Sequence, residues 1–259
     1  MKPSTPVAVV TGAASGIGRA IAMRLASDGF AIFAHTGRNL RGLQETCSDL
    51  LDVGVQVRAA TADYRRPESL RQLVDCAFNW QGRVDAWINN AGADVLTAGG
   101  RERSFEDRLA ELWQVDVVGT ALLARAVTQR WQAGAGQHHG TSRPCMVNTG
   151  WDQAPYGMEG DSGQLFCTVK AAVMAFTKSL AQTVGADARI NCVAPGWIKT
   201  AWGAGTSDYW DERARGESLL GRWGQPEDVA AAVAWLVSPS AAFINGQVVE
   251  VNGGWKRTR

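Results

Sequence analysis

The chain alternates short apolar runs with longer amphipathic stretches along almost its whole length, and this alternation most constrains its fold. Near-continuous apolar runs are typical of strands covered on both faces, as in a parallel sheet between helices. Seven such runs predict strands, at 7–11, 30–35, 55–60, 86–89, 145–148, 189–194 and 247–251. Stretches with helical spacing predict helices at 18–28, 40–51, 67–80, 105–131, 163–184 and 226–237.

A repeated strand–helix order implies right-handed crossovers, so we expect an α/β fold with a doubly wound parallel sheet. No internal repeat or Pro- or Ser-rich linker divides the 259 residues, which predicts a single domain over 1–259. The polar, Gly-rich segment 132–144 is interpreted as a solvated surface loop. His138 and His139 within it could bind a metal, but no third ligand is apparent. The aromatic-rich segment 197–223 suits a lid over a substrate, at about these limits.

Charge and cysteine content exclude several functional classes. The 26 basic and 25 acidic side chains nearly balance, so nothing indicates attraction to nucleic acid or to an anionic membrane. No apolar run is long enough to cross a membrane, and the first residues do not read as a signal peptide. The cysteines are scattered without a CxxC pair, which argues against zinc and disulfides and suits a reducing cytosol. We therefore expect a cytoplasmic protein with a small-molecule substrate.

A glycine-rich turn follows the first predicted strand. The segment TGAASGIG, residues 11–18, leads directly into the first predicted helix. Its glycines allow a tight turn and a close approach of the backbone, and the helix N-terminus offers free N–H groups to a pyrophosphate. This strand–turn–helix position predicts dinucleotide binding, whereas a lone glycine-rich turn is weak evidence.

The same segment matches the TGxxxGxG fingerprint of the short-chain dehydrogenase/reductase family, and later segments resemble that family in order. These are Asp63, NNAG at 89–92, Lys170 on a long helix, PGWIKT at 195–200, GRWGQPEDVA at 221–230, NGQ at 245–247 and NGG at 252–254. The resemblance covers essentially the whole chain. It implies a Rossmann-type sheet and a homotetramer or dimer, with 105–131 and 163–184 packing against symmetry mates.

The resemblance also implies which residues bind the dinucleotide. Asp63 would hold the adenine amino group, the segment 90–92 would line the adenosine ribose, and Lys170 would hydrogen-bond the nicotinamide ribose. The full set of expected cofactor-binding residues is Gly12, Ser15, Gly16, Ile17, Gly18, Thr36, Arg38, Asp63, Tyr64, Asn90, Ala91, Gly92, Lys170, Pro195, Gly196, Ile198 and Thr200.

The end of the second predicted strand favours NADP(H) over NAD(H). An acid at this place would accept the ribose 2′-hydroxyl and repel a 2′-phosphate, but the sequence His35-Thr36-Gly37-Arg38-Asn39 contains none. Thr36 can hydrogen-bond a phosphate, and Arg38 can form a charge-assisted pair with it. Alternatively, Arg38 is an ordinary exposed arginine.

The usual catalytic set of the family is Asn, Ser, Tyr and Lys, and by position only Lys170 matches it. Phe166, four residues earlier, stands where the family has tyrosine, and a phenyl ring has no proton to give. Asp116 stands at the asparagine position, and Gly150-Trp151 end the fifth strand where Ser-Ser is usual. Loss of one general acid typically lowers a rate by about 10²- to 10⁴-fold. The sequence therefore disfavours simple ketone reduction by the usual route.

Other side chains could take over the missing roles. Tyr156 supplies a phenol in the loop that borders the nicotinamide in the family, and Asp152 and Ser162 are further candidates. Asp116, near the Lys170 cation, would be a poor acid but a plausible base or lysine anchor. The alternatives remain open: Tyr156 could pack on a loop, Asp152 or Ser162 could be turn or N-cap residues, and Asp116 could be a tolerated isostere.

Three functions fit these observations. The first is an NADP(H)-dependent oxidoreductase with a non-standard proton donor, reducing a conjugated enone or enoyl group or a bulky apolar carbonyl. The 2,4-dienoyl-CoA reductase type of the family, which also lacks the tyrosine, is a precedent for it. The tryptophans around 197–223 would suit such a substrate, although they could equally be core or interface residues. The second is a silent NADP(H)-binding sensor or partner subunit, and the third is a non-redox enzyme on the same fold.

Overall fold

A computed structural model describes residues 5–97, 99–134, 143–200, 203 and 205–256, apart from the side chain of Arg101. One sheet of seven parallel strands forms its centre, in the order β3-β2-β1-β4-β5-β6-β7. The strands are β1 (Val7–Thr11), β2 (Ala31–Thr36), β3 (Val57–Thr61), β4 (Ala86–Asn89), β5 (Cys145–Thr149), β6 (Arg189–Pro195) and β7 (Val248–Val251). The predicted doubly wound sheet is therefore confirmed.

Helices cover both faces of the sheet. The described helices are α1 (Gly16–Ser27), α2 (Leu40–Asp52), α3 (Pro67–Gln81), α4 (Phe105–Leu112), α5 (Thr120–Gln132), α6 (Gly160–Val184), α7 (Asp208–Glu217) and α8 (Pro226–Val237). Short 3₁₀ turns lie at Gly100–Glu102 and Pro239–Ala241. Helices α1, α2 and α8 share one hydrophobic core with the sheet, and α3, α5 and α6 share the other.

Strand β1 shows why the central strands read as unbroken apolar runs. Its side chains alternate between the two faces, so Val10 packs into the α1–α8 core while Val9 packs into the α3–α6 core beside Trp87. Every residue of β1 is buried. Strand β3 differs, because it lies at an edge of the sheet and its residues are half-buried or exposed.

The long helix predicted over 105–131 is interrupted. Helix α4 passes into a π-helical segment, Trp113–Gly119, before α5 begins at Thr120. Periodicity alone does not reveal such an insertion, because the apolar stripe resumes on nearly the same face after the wide turn. The interruption contains Asp116, and π-helical turns of this kind frequently occur at functional sites.

The segment 197–223 is also more regular than its sequence indicates. It contains the helix α7, whose many charged residues gave no apolar stripe. Its Trp202, and the His138 and His139 pair, lie outside the described residues. Within the described ranges, no helix has the length and apolar character to cross a bilayer, and no group of His, Cys, Asp or Glu could hold a metal ion.

A buried hydrogen-bond chain fixes α6 against the sheet. Trp87 Nε1 donates to Asn89 Oδ1 at 2.8 Å, and Asn89 Nδ2 donates to Asn148 Oδ1 at 2.8 Å. Asn148 Nδ2 then donates to Thr177 Oγ1 of α6 at 2.9 Å. The chain runs from β4 through β5 to α6, and it sets the height at which α6 presents Lys170 to the ends of the strands.

Candidate active site

Two connected cavities lie at the carboxyl ends of the strands. The larger is a groove of about 650 Å³ that runs past β1, β2 and β4. The smaller is a chamber of about 370 Å³ beside β5, β6 and α6. Four residues line both spaces: Ile17, Leu96, Phe166 and Thr200. The two cavities therefore form one continuous path across the point where the strand order reverses, the usual place for a ligand in this architecture.

The floor of the groove can be built only with glycine at two positions. Gly12 has φ of +67°, and a Cβ on it would lie 2.9 Å from Ala91 Cα. A Cβ on Gly18 would lie 2.0 Å from the carbonyl oxygen of Gly12. The absence of these side chains lets α1 begin directly under the groove, with Ser15 as its N-cap residue. The cradle thus fits a pyrophosphate, which the free N–H groups of the first turn would bind.

The end of the groove that follows β3 contains a fixed ion pair. Arg65 Nη2 donates to Asp63 Oδ2 at 2.8 Å, and Arg65 Nε donates to Asp63 Oδ1 at 2.9 Å. The hydrogen bond from Arg65 is the main cause that lowers the pKa of Asp63 to about 2. On the opposite rim, Arg38 is mostly exposed and lies 3.5 Å from Glu111. This end of the groove therefore combines an ionised acid with two guanidinium groups.

A neutral aromatic pair forms the inner wall beside β2. His35 is buried, its Nε2 lies 3.1 Å from the carbonyl oxygen of Ala62, and its ring stacks on Tyr64 at 5.4 Å between centroids. Burial lowers the pKa of His35 to about 4, and burial also raises the pKa of Tyr64. Both rings are consequently uncharged at neutral pH.

Every residue expected to bind the cofactor lines this continuous path. Lys170, Pro195, Gly196 and Ile198 lie in the chamber, and Thr200 lies at its junction with the groove. The remaining expected residues line the groove: Gly12, Ser15, Gly16, Ile17, Gly18, Thr36, Arg38, Asp63, Tyr64, Asn90, Ala91 and Gly92.

A buried ion pair joins Lys170 and Asp116. Lys170 Nζ lies 2.9 Å from Asp116 Oδ2, and the Asp116 side chain is only 2% exposed. The other carboxylate oxygen accepts the backbone N–H of Ala93 at 2.8 Å. A Cβ on Gly92 would lie 2.9 Å from Asp116 Oδ2, so glycine leaves room for the carboxylate there. Lys170 Nζ also donates to the carbonyl oxygen of Thr149 at 3.4 Å.

The chamber wall is mainly aromatic. The Phe166 ring meets Trp151 edge-on at 6.3 Å. Across the chamber, Trp197 lies 5.6 Å from Trp210 and 5.9 Å from Trp223 between ring centroids. All five rings line the space, as does Met158. The chamber can therefore bury a flat apolar molecule, as the tryptophan-rich sequence predicts.

The structure separates the three candidate proton donors that the sequence offers near α6. Ser162 lines the chamber. Tyr156 does not, because it lies 59% exposed with its ring tilted against Trp255 at 6.3 Å. Asp152 is 1% exposed and lies behind the chamber wall, where its Oδ2 accepts from Asn252 Nδ2 at 3.1 Å. Neither the Tyr156 phenol nor the Asp152 carboxyl faces the chamber in this structure, so this geometry gives neither of them a place as a proton donor.

Asp152 occupies an unfavourable place for a charge. One of its oxygens, Oδ1, is buried without a hydrogen-bond partner. Burial raises the pKa of Asp152 to about 7, opposed by the hydrogen bond from Asn252 and reinforced by the nearby Glu250 and Glu217. The carboxyl is therefore half-protonated near neutral pH, although it lies behind the chamber wall and does not line the chamber.

The sequence alone did not identify several lining residues. The sequence did contain a signal for Arg65. Residues two positions apart in an extended segment face the same side, so Arg65 could have been expected to face the groove together with Asp63. Glu111 of α4 gave no signal, since its approach depends on how that helix packs. Thr149 and Met158 in the chamber were likewise missed.

Comparison with known proteins identifies the family. A family model described as enoyl-(acyl carrier protein) reductase matches residues 12–256. The chain belongs to the short-chain dehydrogenase/reductase family. Members of this family are NAD(P)-dependent oxidoreductases, and the match covers both the cofactor groove and the chamber.

Similar proteins cover the chain from end to end. A protein assigned as ketoacyl reductase 2 of the granaticin polyketide synthase of Streptomyces violaceoruber is 34% identical, over 97% of this chain and 96% of the relative. The 3-oxoacyl-[acyl-carrier-protein] reductase FabG of Aquifex aeolicus is 32% identical, over 96% of each. A crystal structure of an actinorhodin polyketide ketoreductase variant with NADPH matches with a TM-score of 0.82 and 29% identity, over 96% of this chain and 97% of that one.

The Lys170–Asp116 pair leads to a prediction about stability. Asp116→Ala should lower the free energy of unfolding by about 3 kcal/mol, because it leaves a largely buried ammonium without its counter-charge. Asp116→Asn should lower it less, since the amide oxygen can still accept the Ala93 N–H. Urea denaturation measures both values. Asp52→Ala, at an exposed residue of α2, is the control and should change the free energy of unfolding by less than about 0.5 kcal/mol. Equal stability of Asp116→Ala and wild type would contradict the prediction.

The raised pKa of Asp152 predicts a penalty in the free energy of unfolding that depends on pH. In the unfolded chain this carboxyl ionises near its ordinary value of 3.8, but in the folded chain it ionises near 7. The folded state therefore binds more protons in this window, and stability falls as pH rises from about 4 to about 7. Asp152→Asn removes this penalty. Its stability relative to wild type should grow by about 2–3 kcal/mol between pH 5 and pH 8.

Urea denaturation at the two pH values measures this difference, with Asp52→Asn as a control that should show none. A constant difference between Asp152→Asn and wild type would mean that Asp152 ionises normally in the folded protein.

Proposed function

We propose that the protein is an NADP(H)-dependent reductase of flat, apolar substrates whose carbonyl is conjugated with a carbon–carbon double bond. The observation that carries this proposal is the position of Phe166. Its ring lines both the groove and the chamber, one helical turn before Lys170, where the family resemblance leads us to expect a phenol. The site combines a cofactor path with a wall that lacks the usual proton donor.

The choice of NADP(H) rests on the end of β2. Thr36 and Arg38 line the groove there, and no acidic residue lies in the segment 35–39. A 2′-phosphate at this rim would meet the Thr36 hydroxyl and the exposed Arg38 guanidinium, and it would compete with Glu111 of α4 for that guanidinium. The solved relatives with NADPH or NADP support this choice by similarity.

Bound in the groove, the nicotinamide would supply a hydride at the junction with the chamber. Lys170 would hold the nicotinamide ribose, as in the family, and Asp116 would hold Lys170. Because Asp116 neutralises the ammonium, the pair contributes position rather than net positive charge. The glycine cradle and the Arg38 rim would hold the rest of the cofactor.

The chamber favours a large, flat and uncharged substrate. Its aromatic faces would bury such a ring system, and its few polar groups would orient it. We propose that 197–223 acts as a lid, since Trp197, Trp210 and Trp223 form one wall. The names of the relatives, ketoacyl and enoyl reductases, favour the reductive direction. A homotetramer remains our proposal from the family resemblance.

A conjugated acceptor suits a site without a phenol. Reduction of a simple ketone develops negative charge on the oxygen bonded to the carbon that receives the hydride, so a donor must lie beside that carbon. In a conjugated acceptor the charge develops on a remote oxygen, and a donor elsewhere in the chamber can stabilise it. Phe166 has no proton to give beside that carbon, which supports the second possibility as our proposal.

The first test restores the phenol. Wild-type protein should oxidise NADPH with a polycyclic enone and react poorly with the saturated ketone of the same skeleton. Phe166→Tyr should raise kcat/KM for the saturated ketone by about 10²-fold, because it returns a general acid next to the hydride-accepting carbon. NADPH absorbance measures both reactions. Phe243→Tyr, at a fully exposed phenylalanine, is the control and should leave both values unchanged.

Two outcomes would reject the proposed reductase. Tight NADPH binding without oxidation of NADPH by any enone or ketone would favour a silent dinucleotide-binding protein. Conversion of a substrate without a change in NADPH absorbance would favour non-redox chemistry.

The second test concerns the cofactor. Arg38→Gln should weaken NADPH binding by about 10-fold, because it removes a charge-assisted bond to the 2′-phosphate, and it should leave NADH binding unchanged. Fluorescence titration with each cofactor measures the two dissociation constants. Arg41→Gln, on an arginine outside the groove with a 90% exposed side chain, is the control. Equal weakening for both cofactors would contradict a 2′-phosphate contact.

A further inference from the structure

Three residues of α6 form one stripe along the chamber. Ser162, Phe166 and Lys170 are spaced four residues apart, so they lie on the same face of the helix. All three line the chamber. The hydroxyl that Phe166 lacks is thus present one turn earlier, at Ser162, on the side away from Lys170.

Ser162 presents the accessible hydroxyl of this wall. Its Oγ has no hydrogen bond to any of the described residues, and its side chain is half-buried beside the cavity. Thr149 also lines the chamber, but its Oγ1 is fully buried and without a partner, so a substrate cannot reach it. Thr200 lies at the junction with the groove rather than at the far end.

Ion pairs fix the turn that carries Ser162. Arg108 Nη2 of α4 donates to Asp161 Oδ2 at 2.8 Å, and the Arg108 side chain is buried. Arg213 of α7 pairs with Glu159, the N-cap residue of α6. The two flanking carboxylates are therefore neutralised by guanidinium groups. The Ser162 hydroxyl is held next to the first-turn N–H groups of a long helix, where a negative charge is favoured.

The distance along α6 between Ser162 and Phe166 limits which substrates can contact the Ser162 hydroxyl. Four helical residues correspond to a shift of about 6 Å along the axis. A serine hydroxyl also stays close to the helix surface, whereas a phenol would reach towards the middle of the chamber. An oxygen bonded to Ser162 therefore lies well away from the carbon next to Lys170. A simple ketone cannot span this separation, because its oxygen lies only about 1.2 Å from its carbon.

We propose that Ser162 donates a hydrogen bond to a substrate oxygen that is separated from the hydride-accepting carbon by at least one carbon–carbon double bond. This inference rests on the proposed reductase function and deepens it, because it identifies a catalytic hydroxyl and restricts the substrates to vinylogous carbonyl compounds. It also predicts the orientation of the substrate in the chamber, with the substrate oxygen at the first turn of α6 and the reacting carbon beside Lys170.

Besides the hydride, the step needs only one proton, which the solvent supplies. The hydride brings two electrons to the remote carbon and forms a C–H bond there. The electrons of the double bond shift towards the carbonyl, which becomes an enolate with its negative charge on oxygen. Ser162 stabilises this oxygen through its O–H and keeps its own proton. Water then protonates the carbon next to the carbonyl, so the sum is addition of hydride and one proton across the double bond.

A kinetic experiment tests the role of Ser162. With the polycyclic enone and NADPH, Ser162→Ala should lower kcat by about 10²-fold and change KM little, because the contact strengthens as the enolate forms. Ser162→Thr should retain most of the rate, since it keeps the hydroxyl. The dissociation constant of NADPH should not change in either variant. Ser179→Ala, at an exposed serine of the same helix, is the matched control and should behave as wild type.

A binding experiment tests the same contact without turnover. In the NADP⁺ complex, 2-naphthol presents a flat ring system with one hydroxyl, which can accept the Ser162 hydrogen bond, while naphthalene presents the ring alone. Quenching of the chamber tryptophans measures both dissociation constants. The preference of wild type for 2-naphthol should fall by about 5- to 10-fold in Ser162→Ala, the loss expected for one hydrogen bond.

The two experiments separate failure of this inference from failure of the reductase proposal. If wild type reduces the enone but Ser162→Ala is equally fast, or if its preference for 2-naphthol is unchanged, the role of Ser162 is wrong while the reductase stands. Faster reduction of the saturated ketone than of the enone by wild type would overturn the substrate restriction. Absence of any NADPH oxidation would reject the reductase itself, and the mechanism of Ser162 with it.

Discussion

The buried pair between Lys170 and Asp116 holds the active-site region together. Its carboxylate accepts from the ammonium of α6 and from the backbone N–H of Ala93 after β4, and it comes from the π-helical segment between α4 and α5. Three separate parts of the chain therefore meet at one carboxylate. Because both charges are largely removed from water, each requires the other, and neither side chain can leave without exposing an uncompensated charge. Gly92 is part of the same arrangement, since a side chain there would collide with Asp116.

This pair changes the chemistry that α6 can support. A lysine with a free positive charge would favour the ionised form of a neighbouring acid, but here the charge is already neutralised and the neighbouring residue is Phe166. The centre of the chamber is thus apolar, and the accessible hydroxyl lies one turn away at Ser162. Under the proposed function, Phe166 and Asp116 are consistent with each other, because a phenyl ring is not an acid that Lys170 could activate. Both suit the reaction that we propose, in which the developing charge lies away from the hydride-accepting carbon.

The sequence predicts the fold well, and it predicts the glycine turn at the groove, because both depend on local rules. Buried strands need unbroken apolar runs, and the cradle needs glycine at Gly12 and Gly18, where a Cβ would collide with backbone. The chamber was harder to predict. Tyr156 is close to α6 in sequence but turns outward against Trp255, and the approach of α7 depends on tertiary contacts such as the Arg213–Glu159 pair. The π-helical turn around Asp116 was invisible for a similar reason, since one extra residue in a turn leaves the apolar stripe nearly intact.

Two tryptophans make one wall of the chamber apolar, because their N–H groups are hydrogen-bonded to α7. Trp197 Nε1 donates to Glu217 Oε2 at 2.7 Å, and Trp223 Nε1 donates to Asp211 Oδ1 at 2.8 Å. Both acceptors belong to α7, so these indoles fasten α7 to the strand ends while their carbon faces line the cavity. Their polar edges are satisfied by α7 and are thus not available to orient a ligand. In the proposed reductase, orientation would come from the opposite wall, where α6 carries Ser162 and Lys170, and a flat substrate between the two walls would be aligned along the axis of that helix.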